Sequence, residues 1–366
     1  MKVSFLDLKA SFSEIQPEIE DAMLESVRSG QYIGGSNVES FERAFGDFVE
    51  SDFCIGVGNG FDALVLSLKV LGVGVGDEVI VPSNTFIATW LAVTHCGAVP
   101  IPVEPDSNTY NINVNLIEDK ITDKTRAIIP VHLYGQPADI DEVSVLAKKY
   151  NLFVIEDAAQ AHGATYKGRR VGSHSDLVAW SFYPGKNLGA FGDAGAVTTN
   201  NVELADRLTT FRNYGSKERY VHSMPGVNSR LDPLQASILN VKLKYLKTWN
   251  DRRVRIASIY NDELKDLSIN LPVIQSHNES VWHLYCIRTS RRDLLRANLA
   301  SMGVDTLIHY PVPPHMQDAY KGSGYHENAF PLAKIIASEL VSLPIGPSMN
   351  PNQVSYVIDC VKKILR

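Results

Sequence analysis

The strongest constraint on the fold is an alternation of short apolar runs and amphipathic segments, which begins near residue 53 and continues to about residue 211. Apolar runs without strict polar alternation are typical of strands buried on both faces, and helices between them indicate crossover connections. The pattern therefore predicts an α/β fold with a mostly parallel, seven-stranded sheet between layers of helices. The predicted strands are 54–57, 79–81, 99–103, 127–131, 153–155, 178–182 and 196–198.

The segments on either side of this alternation have a different pattern. Apolar residues recur at helical spacing over 15–27 and again over 38–48, which predicts two N-terminal helices. Because 366 residues exceed the ordinary length of one domain, we predict a large domain over residues 1–240 and a smaller C-terminal α+β domain over residues 241–366. The predicted C-terminal elements are a long helix over 233–264, a strand over 284–288 and helices over 292–302, 332–340 and 351–365.

The net charge and the cysteine content limit the partners that the protein can bind and the cellular compartment in which it can reside. The chain has 35 Lys and Arg residues against 41 Asp and Glu residues, a net charge of −6, so we expect no broad nucleic-acid or anionic-membrane surface. The sequence contains no apolar run of membrane-spanning length and no secretory leader pattern, so we expect a cytoplasmic protein. The four cysteines include no Cys-x-x-Cys pair, and the histidines show no ligand spacing, so we expect no metal site.

Glycines and ionisable residues follow three of the predicted strands, at the edge of an α/β sheet where ligands collect. The segment 58–62 (GNGFD) opens a helix, and a helix N-terminus attracts phosphate. Asp157 follows the fifth strand, and Lys186 lies in a Pro-Gly turn between two buried strands. Taken singly, such an aspartate is more often a helix cap and such a lysine a solvated charge.

In combination, these three features match the needs of pyridoxal 5′-phosphate. That cofactor requires a lysine for covalent attachment and an aspartate against its pyridinium nitrogen, whose proton makes the ring an electron sink. Its phosphate requires hydrogen-bond donors such as those at a helix N-terminus. The order of the three features along the chain therefore predicts a pyridoxal phosphate site.

Nine short motifs are spread over essentially the whole chain. They are FLDL (5–8), NGFDAL (59–64), PSNTF (82–86), HLYG (132–135), EDAAQ (156–160), SFYPGK (181–186), RNYG (212–215), NSRLD (228–232) and HYPVP (309–313). Together they resemble the motifs of nucleotide-sugar aminotransferases of the DegT/DnrJ/StrS type, which have the aspartate-aminotransferase fold. The resemblance implies that fold and a pyridoxal-phosphate-dependent transaminase activity.

The resemblance implies a role toward the cofactor ring for four residues. Lys186 would carry the cofactor and move the proton between the sugar carbon and the cofactor. Asp157 would pair with the ring nitrogen, and Gln160 would contact the ring oxygen. Phe86 would stack on the ring face, although a phenylalanine there could equally be part of the core.

The resemblance also implies how the cofactor phosphate is bound. The N–H groups of Gly60 and Phe61 would donate to it, and Ser181 would add its hydroxyl. Asn228 would reach the same phosphate from the neighbouring subunit, so the resemblance implies a homodimer with shared active sites.

A second group of residues matches the positions that line the sugar and diphosphate pocket of the family. Arginine suits a diphosphate because its planar guanidinium donates two hydrogen bonds to one anion. For each of these residues a surface or core role is an equally good interpretation. The residues are Tyr183, Arg219, Tyr220, Arg230, His309 and Tyr310.

Two stretches, YPGKNLG at 183–189, which overlaps the SFYPGK motif, and HYPVP at 309–313, look most like those of enzymes that aminate carbon 3 of dTDP-3-keto-6-deoxyhexoses. The expected reaction uses glutamate as amino donor and gives a dTDP-3-amino-3,6-dideoxyhexose. The nearest alternative is an aminotransferase for 4-keto sugars linked to dTDP or UDP. Two further alternatives are a related dehydratase, which has histidine in place of Lys186, and a non-enzymatic regulatory or binding protein, which would not need Lys186, Asp157 and Gln160.

Overall fold

The computed structural model describes all 366 residues. Its strands are β1 (Phe53–Val57), β2 (Glu78–Pro82), β3 (Val99–Val103), β4 (Thr125–Ile128), β5 (Phe153–Asp157), β6 (Thr165–Tyr166), β7 (Arg169–Arg170), β8 (Leu177–Ser181), β9 (Gly195–Thr199), β10 (Ser216–Glu218), β11 (Val221–His222), β12 (Asn278–Glu279), β13 (Tyr285–Arg288) and β14 (Leu340–Leu343). The helices are α1 (Leu8–Glu14), α2 (Gln16–Arg28), α3 (Ser36–Phe48), α4 (Gly60–Val70), α5 (Ala88–His95), α6 (Ile140–Tyr150), α7 (Val202–Phe211), α8 (Pro233–Leu264), α9 (Arg292–Ser301), α10 (Pro331–Glu339) and α11 (Pro351–Leu365).

The main sheet contains seven strands in the order β1-β9-β8-β5-β4-β2-β3. The pairs from β8 through β5, β4 and β2 to β3 are all parallel, whereas β9 runs antiparallel to β1 and β8. Each of the seven predicted strands overlaps one of these. The predicted α/β class and the mostly parallel, seven-stranded sheet are therefore confirmed.

Apolar side chains fill both faces of the sheet, as expected for strands without alternation. On one face, α4 and α5 contribute buried residues such as Leu66 and Trp90. On the other face, the ring of Phe45 in α3 meets the edges of Trp180 and Phe182, with centroids 5.1 Å away in both cases. These aromatic contacts fix β8 and the chain that follows it.

The C-terminal elements form a separate cluster of buried residues around β13 and β14. All the predicted C-terminal helices are present, but β14 was not predicted, and α1 precedes the two predicted N-terminal helices. Residue 240 lies inside α8, so one continuous helix crosses the predicted domain boundary. The division at that residue stays a prediction.

Two further features of the structure concern membrane spanning and metal binding. Its helices are either too short or too polar to cross a lipid bilayer. No group of three or more His, Cys, Asp and Glu side chains is arranged to hold a metal ion.

Candidate cofactor and substrate site

The N-terminus of α4 lies directly against the carboxyl end of β8. A Cβ atom added to Gly60 would lie only 2.5 Å from the Cβ atom of Ser181, so no larger residue fits there without movement. Gly195, on the neighbouring strand, is equally close to the backbone of Asn59, at 2.4 Å from an added Cβ to its carbonyl carbon. The two glycines therefore allow the first turn of α4 to pack directly against the last residue of β8.

This first turn of α4 has unused hydrogen-bond donors. Asn59 caps the helix by accepting from the N–H of Asp62 at 2.8 Å. The Ser229 hydroxyl accepts from the N–H of Gly58 at 3.0 Å and donates to Asp62 at 2.6 Å. The N–H groups of Gly60 and Phe61 donate to no group of the chain. These two free N–H groups at a helix N-terminus, beside the hydroxyl of Ser181, fit a phosphate group.

Asp157 is the last residue of β5 and is buried. Its Oδ2 accepts a hydrogen bond from the Thr89 hydroxyl at 2.9 Å, and its Oδ1 accepts from the N–H of Ala159 at 3.2 Å. Burial raises the pKa of Asp157, while the Thr89 and Ala159 donors and the nearby Lys186 oppose that rise. An immobilised, buried carboxyl group with lone pairs remaining fits the pyridinium nitrogen of pyridoxal phosphate.

Gln160 is held between two tyrosines. Its Oε1 accepts from the backbone N–H of Tyr134 at 2.6 Å, and its Nε2 donates to the Tyr310 hydroxyl at 3.1 Å. The second N–H of Nε2 remains available for a ligand oxygen. The Tyr310 ring lies 5.2 Å from the ring of Phe86, whose side chain is 51% exposed. An exposed phenylalanine at this position favours ring stacking over the core role.

Lys186 lies in the turn after β8, and burial lowers the pKa of its amine to about 8, although Asp157 acts in the opposite direction. The adjacent Asn187 fixes the turn, because its Nδ2 donates to Asn250 Oδ1 and to the Val281 carbonyl, both at 2.9 Å. Its Oδ1 lies 3.2 Å from Nδ1 of His283. The Lys186 amine itself has no hydrogen-bond partner in the chain, as a group that attaches a cofactor requires.

The predicted substrate residues divide into two groups. His309 and Tyr310 adjoin the cofactor residues: Nδ1 of His309 lies 2.8 Å from the Ser342 hydroxyl, its carbonyl accepts from Tyr134, and Tyr310 contacts Phe86. Tyr183, three residues before Lys186, is 59% exposed.

The other predicted substrate residues and Asn228 lie on the surface of the single chain. Arg219 and Tyr220 belong to the segment around β10 and β11 and contact each other, with the guanidinium 5.0 Å from the ring centroid. Arg230 donates to Asn213 at 3.1 Å. The Asn228 side chain is exposed next to the buried Ser229. None of these four side chains forms a hydrogen bond or ring contact with the cofactor residues of its own chain.

Sequence reasoning missed three residues that orient the site, namely Thr89, Tyr134 and Asn187. Thr89 carried a weak signal, because it lies one helical turn after Thr85 in the motif that ends at Phe86. Tyr134 has a left-handed backbone with φ of 60°, and such residues are concentrated at functional sites. The sequence does not indicate this conformation, because position 134 has a tyrosine and not glycine or asparagine, the residues that favour a left-handed backbone.

Comparison with known proteins identifies close relatives. The model of the DegT/DnrJ/EryC1/StrS aminotransferase family matches residues 13–362. The dTDP-3-amino-3,4,6-trideoxy-alpha-D-glucose transaminase of Streptomyces venezuelae is 50% identical over 363 residues, which are 99% of this chain and 96% of that protein. The dTDP-3-amino-3,6-dideoxy-alpha-D-galactopyranose transaminase of Aneurinibacillus thermoaerophilus is 51% identical over 361 residues, which are 99% of each chain.

Two solved structures are equally informative. The crystal structure of S. venezuelae DesV in complex with a ketimine intermediate has a TM-score of 0.98 and 50% identity, and the match covers 99% of this chain and 98% of that one. NtdA from Bacillus subtilis, solved with bound pyridoxamine phosphate, has a TM-score of 0.93 and 32% identity, with 100% and 85% covered. The predicted dependence on pyridoxal phosphate is therefore confirmed.

The environment of Lys186 predicts the pH dependence of its reactivity. Burial disfavours the ammonium form, so in the apoprotein the amine should be mostly the free base above about pH 8. Reductive methylation of Lys186, followed by peptide mass spectrometry, should rise with pH, reach its midpoint near pH 8 and level off about one unit above that. Exposed lysines as a class should continue to gain reactivity toward pH ~10.

The variant Asp157→Asn is the matched control for this measurement. It removes the negative charge that stabilises the ammonium, so the plateau for Lys186 should move to lower pH. A reactivity of Lys186 that rises to pH ~10 would contradict its burial.

The close contact at Gly60 predicts the effect of adding a methyl group. Gly60→Ala must push the end of β8 away from α4, because the new Cβ has only 2.5 Å of space to Ser181. We expect the affinity of the apoprotein for pyridoxal phosphate to fall by at least about 10-fold, the size of one lost hydrogen bond to a charged group. Gly74→Ala is the control, since its nearest atom is 3.9 Å away; equal affinities in fluorescence titrations would refute this packing argument.

Proposed function

Because this chain belongs to the DegT/DnrJ/EryC1/StrS aminotransferase family, we propose that it aminates carbon 3 of a dTDP-linked keto sugar. The protein is a pyridoxal-phosphate-dependent nucleotide-sugar aminotransferase. The proposed substrates are glutamate and a dTDP-3-keto-6-deoxyhexose, and the proposed product is a dTDP-3-amino-3,6-dideoxyhexose. The observation that carries the proposal is that two relatives at 50% and 51% identity, matched over 99% of this chain, are both dTDP-3-amino-sugar transaminases.

The proposed roles of the ring-binding residues follow from their contacts. Bound pyridoxal phosphate supplies an electron sink for negative charge at the reacting carbon. Asp157 would accept the hydrogen bond of the ring nitrogen, in the orientation that Thr89 and Ala159 impose. Gln160 would donate its free N–H to the ring oxygen, and Phe86 would cover one face of the ring and exclude water there.

Lys186 would act as the proton-transfer group. The pKa of its amine, about 8, is close to neutral pH, so the amine can both accept and release a proton. It would take a proton from the α-carbon of glutamate in one half-reaction and deliver a proton to carbon 3 of the sugar in the other. The turn fixed by Asn187 would keep the amine in position for both transfers.

The phosphate and substrate contacts complete the proposal. Gly60 and Phe61 would bind the cofactor phosphate through their free N–H groups at the start of α4, and Ser181 would add its hydroxyl from the end of β8. Tyr310 would contact the sugar, because it adjoins Phe86 and Gln160. His309 would contact it too, because its ring packs against that of Tyr310. The proposed diphosphate and outer sugar contacts are Tyr183, Arg219, Tyr220 and Arg230.

An aminotransferase for dTDP- or UDP-linked 4-keto sugars is the alternative, and one assay separates the two. We expect purified protein with glutamate to convert a dTDP-3-keto-6-deoxyhexose into a sugar with its amine on carbon 3, located by NMR. The dTDP-4-keto and UDP-4-keto isomers should give no amine under the same conditions. Lys186→Ala should lower the rate by at least about 100-fold, because positioned acid–base catalysis contributes that much or more. Amination at carbon 4 alone would overturn the proposal.

A homodimer with shared sites is proposed from the position of Asn228. Its side chain is exposed in the single chain, although the adjacent Ser229 is tied to the start of α4. Because Asn228 is exposed and contacts no cofactor residue of its own chain, the proposal assigns it to the phosphate site of a second copy. This arrangement would add a side-chain amide to the N–H groups of Gly60 and Phe61 and the hydroxyl of Ser181.

Mixed dimers test this sharing of sites. Co-expression of Lys186→Ala and Asn228→Ala chains with different tags should yield a dimer with one complete site, if Asn228 acts in the partner subunit. We expect the mixed dimer to have about half the kcat of the unmodified dimer and an unaltered affinity for pyridoxal phosphate at its active site. If Asn228 acts within its own chain, the only site with Lys186 would lack Asn228, and the affinity would match that of the Asn228→Ala homodimer.

A further inference from the structure

Two buried threonine hydroxyls form a chain of hydrogen bonds that ends on Asp157. The Thr89 Oγ1 atom lies 2.9 Å from Asp157 Oδ2, and the Thr85 Oγ1 atom lies 3.0 Å from Thr89 Oγ1. Thr85 belongs to the segment after β2, and Thr89 is the second residue of α5. Both side chains are almost completely buried, at 2% and 0% exposure, so water cannot replace either hydroxyl.

The direction of this chain follows from the chemistry of its last member. An ionised carboxylate can only accept hydrogen bonds, so Thr89 must donate its one hydroxyl hydrogen to Asp157. The oxygen of Thr89 can then only accept from Thr85, which makes Thr85 the donor. Hydrogen bonds in series polarise one another, so the contact to Asp157 is stronger than an isolated hydroxyl would provide.

We propose that Thr89, supported by Thr85, is a positioning residue that keeps Asp157 ionised and directed at the ring nitrogen of the cofactor. The inference rests on the proposed role of Asp157 and extends it to two buried residues that reach the site through Asp157.

The surroundings of Asp157 explain why it needs such support. Burial raises its pKa, and the Thr89 hydroxyl makes the largest opposing contribution, followed by the N–H of Ala159. The ionisable groups that face Asp157 are Lys186 and His132, which lower its pKa, and Tyr310, whose own pKa is raised by burial. Without the Thr89 hydroxyl, the carboxyl would retain its proton to a higher pH and could no longer accept from a protonated ring nitrogen.

The test measures binding rather than turnover, with pyridoxamine 5′-phosphate as the probe because it forms no covalent bond to Lys186. Thr89→Val removes the hydroxyl at nearly constant size. We expect it to weaken binding at neutral pH by about 10-fold or more, as for a lost hydrogen bond to a charged acceptor. The acid limb of the affinity profile should also move to higher pH.

Three matched variants separate the hydroxyl from packing. Thr89→Ser keeps the donor and should bind within about 3-fold of the unmodified protein, less than the loss of a full hydrogen bond. Thr85→Val removes the hydrogen bond from Thr85 to Thr89 and leaves the one from Thr89 to Asp157 in place. Because the remaining bond is then less polarised, we expect the affinity for pyridoxamine phosphate to fall by about 2- to 3-fold. This variant also keeps the test available if Thr89→Val does not fold. Thr94→Val removes a hydroxyl from the same helix, where it contacts Tyr320 instead, and should have no effect.

A second probe, the 1-deaza analogue of pyridoxamine phosphate, identifies the ring nitrogen as the partner. Because the analogue lacks that nitrogen, Thr89→Val should weaken its binding far less than that of pyridoxamine phosphate. An equal loss for both probes, or a loss that is independent of pH, would show a packing role and overturn the inference.

Asp157→Asn distinguishes failure of this inference from failure of the assignment on which it rests. If Asp157→Asn abolishes the preference for pyridoxamine phosphate over the deaza analogue while Thr89→Val leaves it intact, the inference about Thr89 alone is wrong. If Asp157→Asn itself leaves the preference intact, the proposed role of Asp157 is wrong, and the inference about Thr89 fails with it. Thermal unfolding of each apoprotein verifies that the variants are folded.

Discussion

Removal of the partly buried Lys186 and the buried Asp157 from water, at one edge of the sheet, is the constraint on which the site depends. Each charge alone would be costly to remove from water, and each shifts toward its neutral form as a result. Their mutual attraction opposes both shifts, yet Lys186 has no hydrogen-bond partner in the chain. Asp157 is stabilised instead by fixed donors, so the carboxylate is held by the fold while the amine stays free to react.

Hydrogen bonds between segments that are distant in sequence fix the two strand ends of the site, which couples the site to the packing of the whole molecule. The turn of Lys186 is tied through Asn187 to Asn250 of α8 and to the backbone at Val281. Asn250 also donates to the carbonyl of His162, in the segment that follows β5. A helix that extends from the main sheet toward the C-terminal cluster therefore fixes both strand ends that carry the reactive groups.

The distinction between local and long-range interactions explains how much could be predicted from the sequence. The α/β class followed from the apolar runs, because strands buried on both faces need no information about their partners. Asp157, Lys186 and the glycines near 60 were found because they follow three predicted strands in an order that matches the needs of one cofactor, although each alone is an ordinary residue at a strand end. Thr89 and Asn187 were missed because their meaning depends on partners 68 and 63 residues away. Strand β14 was missed because α10 runs into it without an intervening glycine or proline.

Three histidines around Lys186 stay uncharged, which keeps the positive charge of the site low. Burial lowers the pKa of His162 to about 3 and that of His309 to about 4, and His283 is also shifted well below its usual range, with Lys186 contributing to all three shifts. These imidazoles are therefore neutral at the pH where Lys186 titrates, and their lowered pKa values make them weaker bases than the Lys186 amine. A cationic imidazole beside Lys186 would lower the pKa of the amine further and weaken it as a base. Under the proposed function, positive charge for an anionic diphosphate would have to come from outside this group. The proposed sources are the exposed Arg219 and the partly exposed Arg230, because a charge near the surface carries a smaller desolvation cost than a buried one.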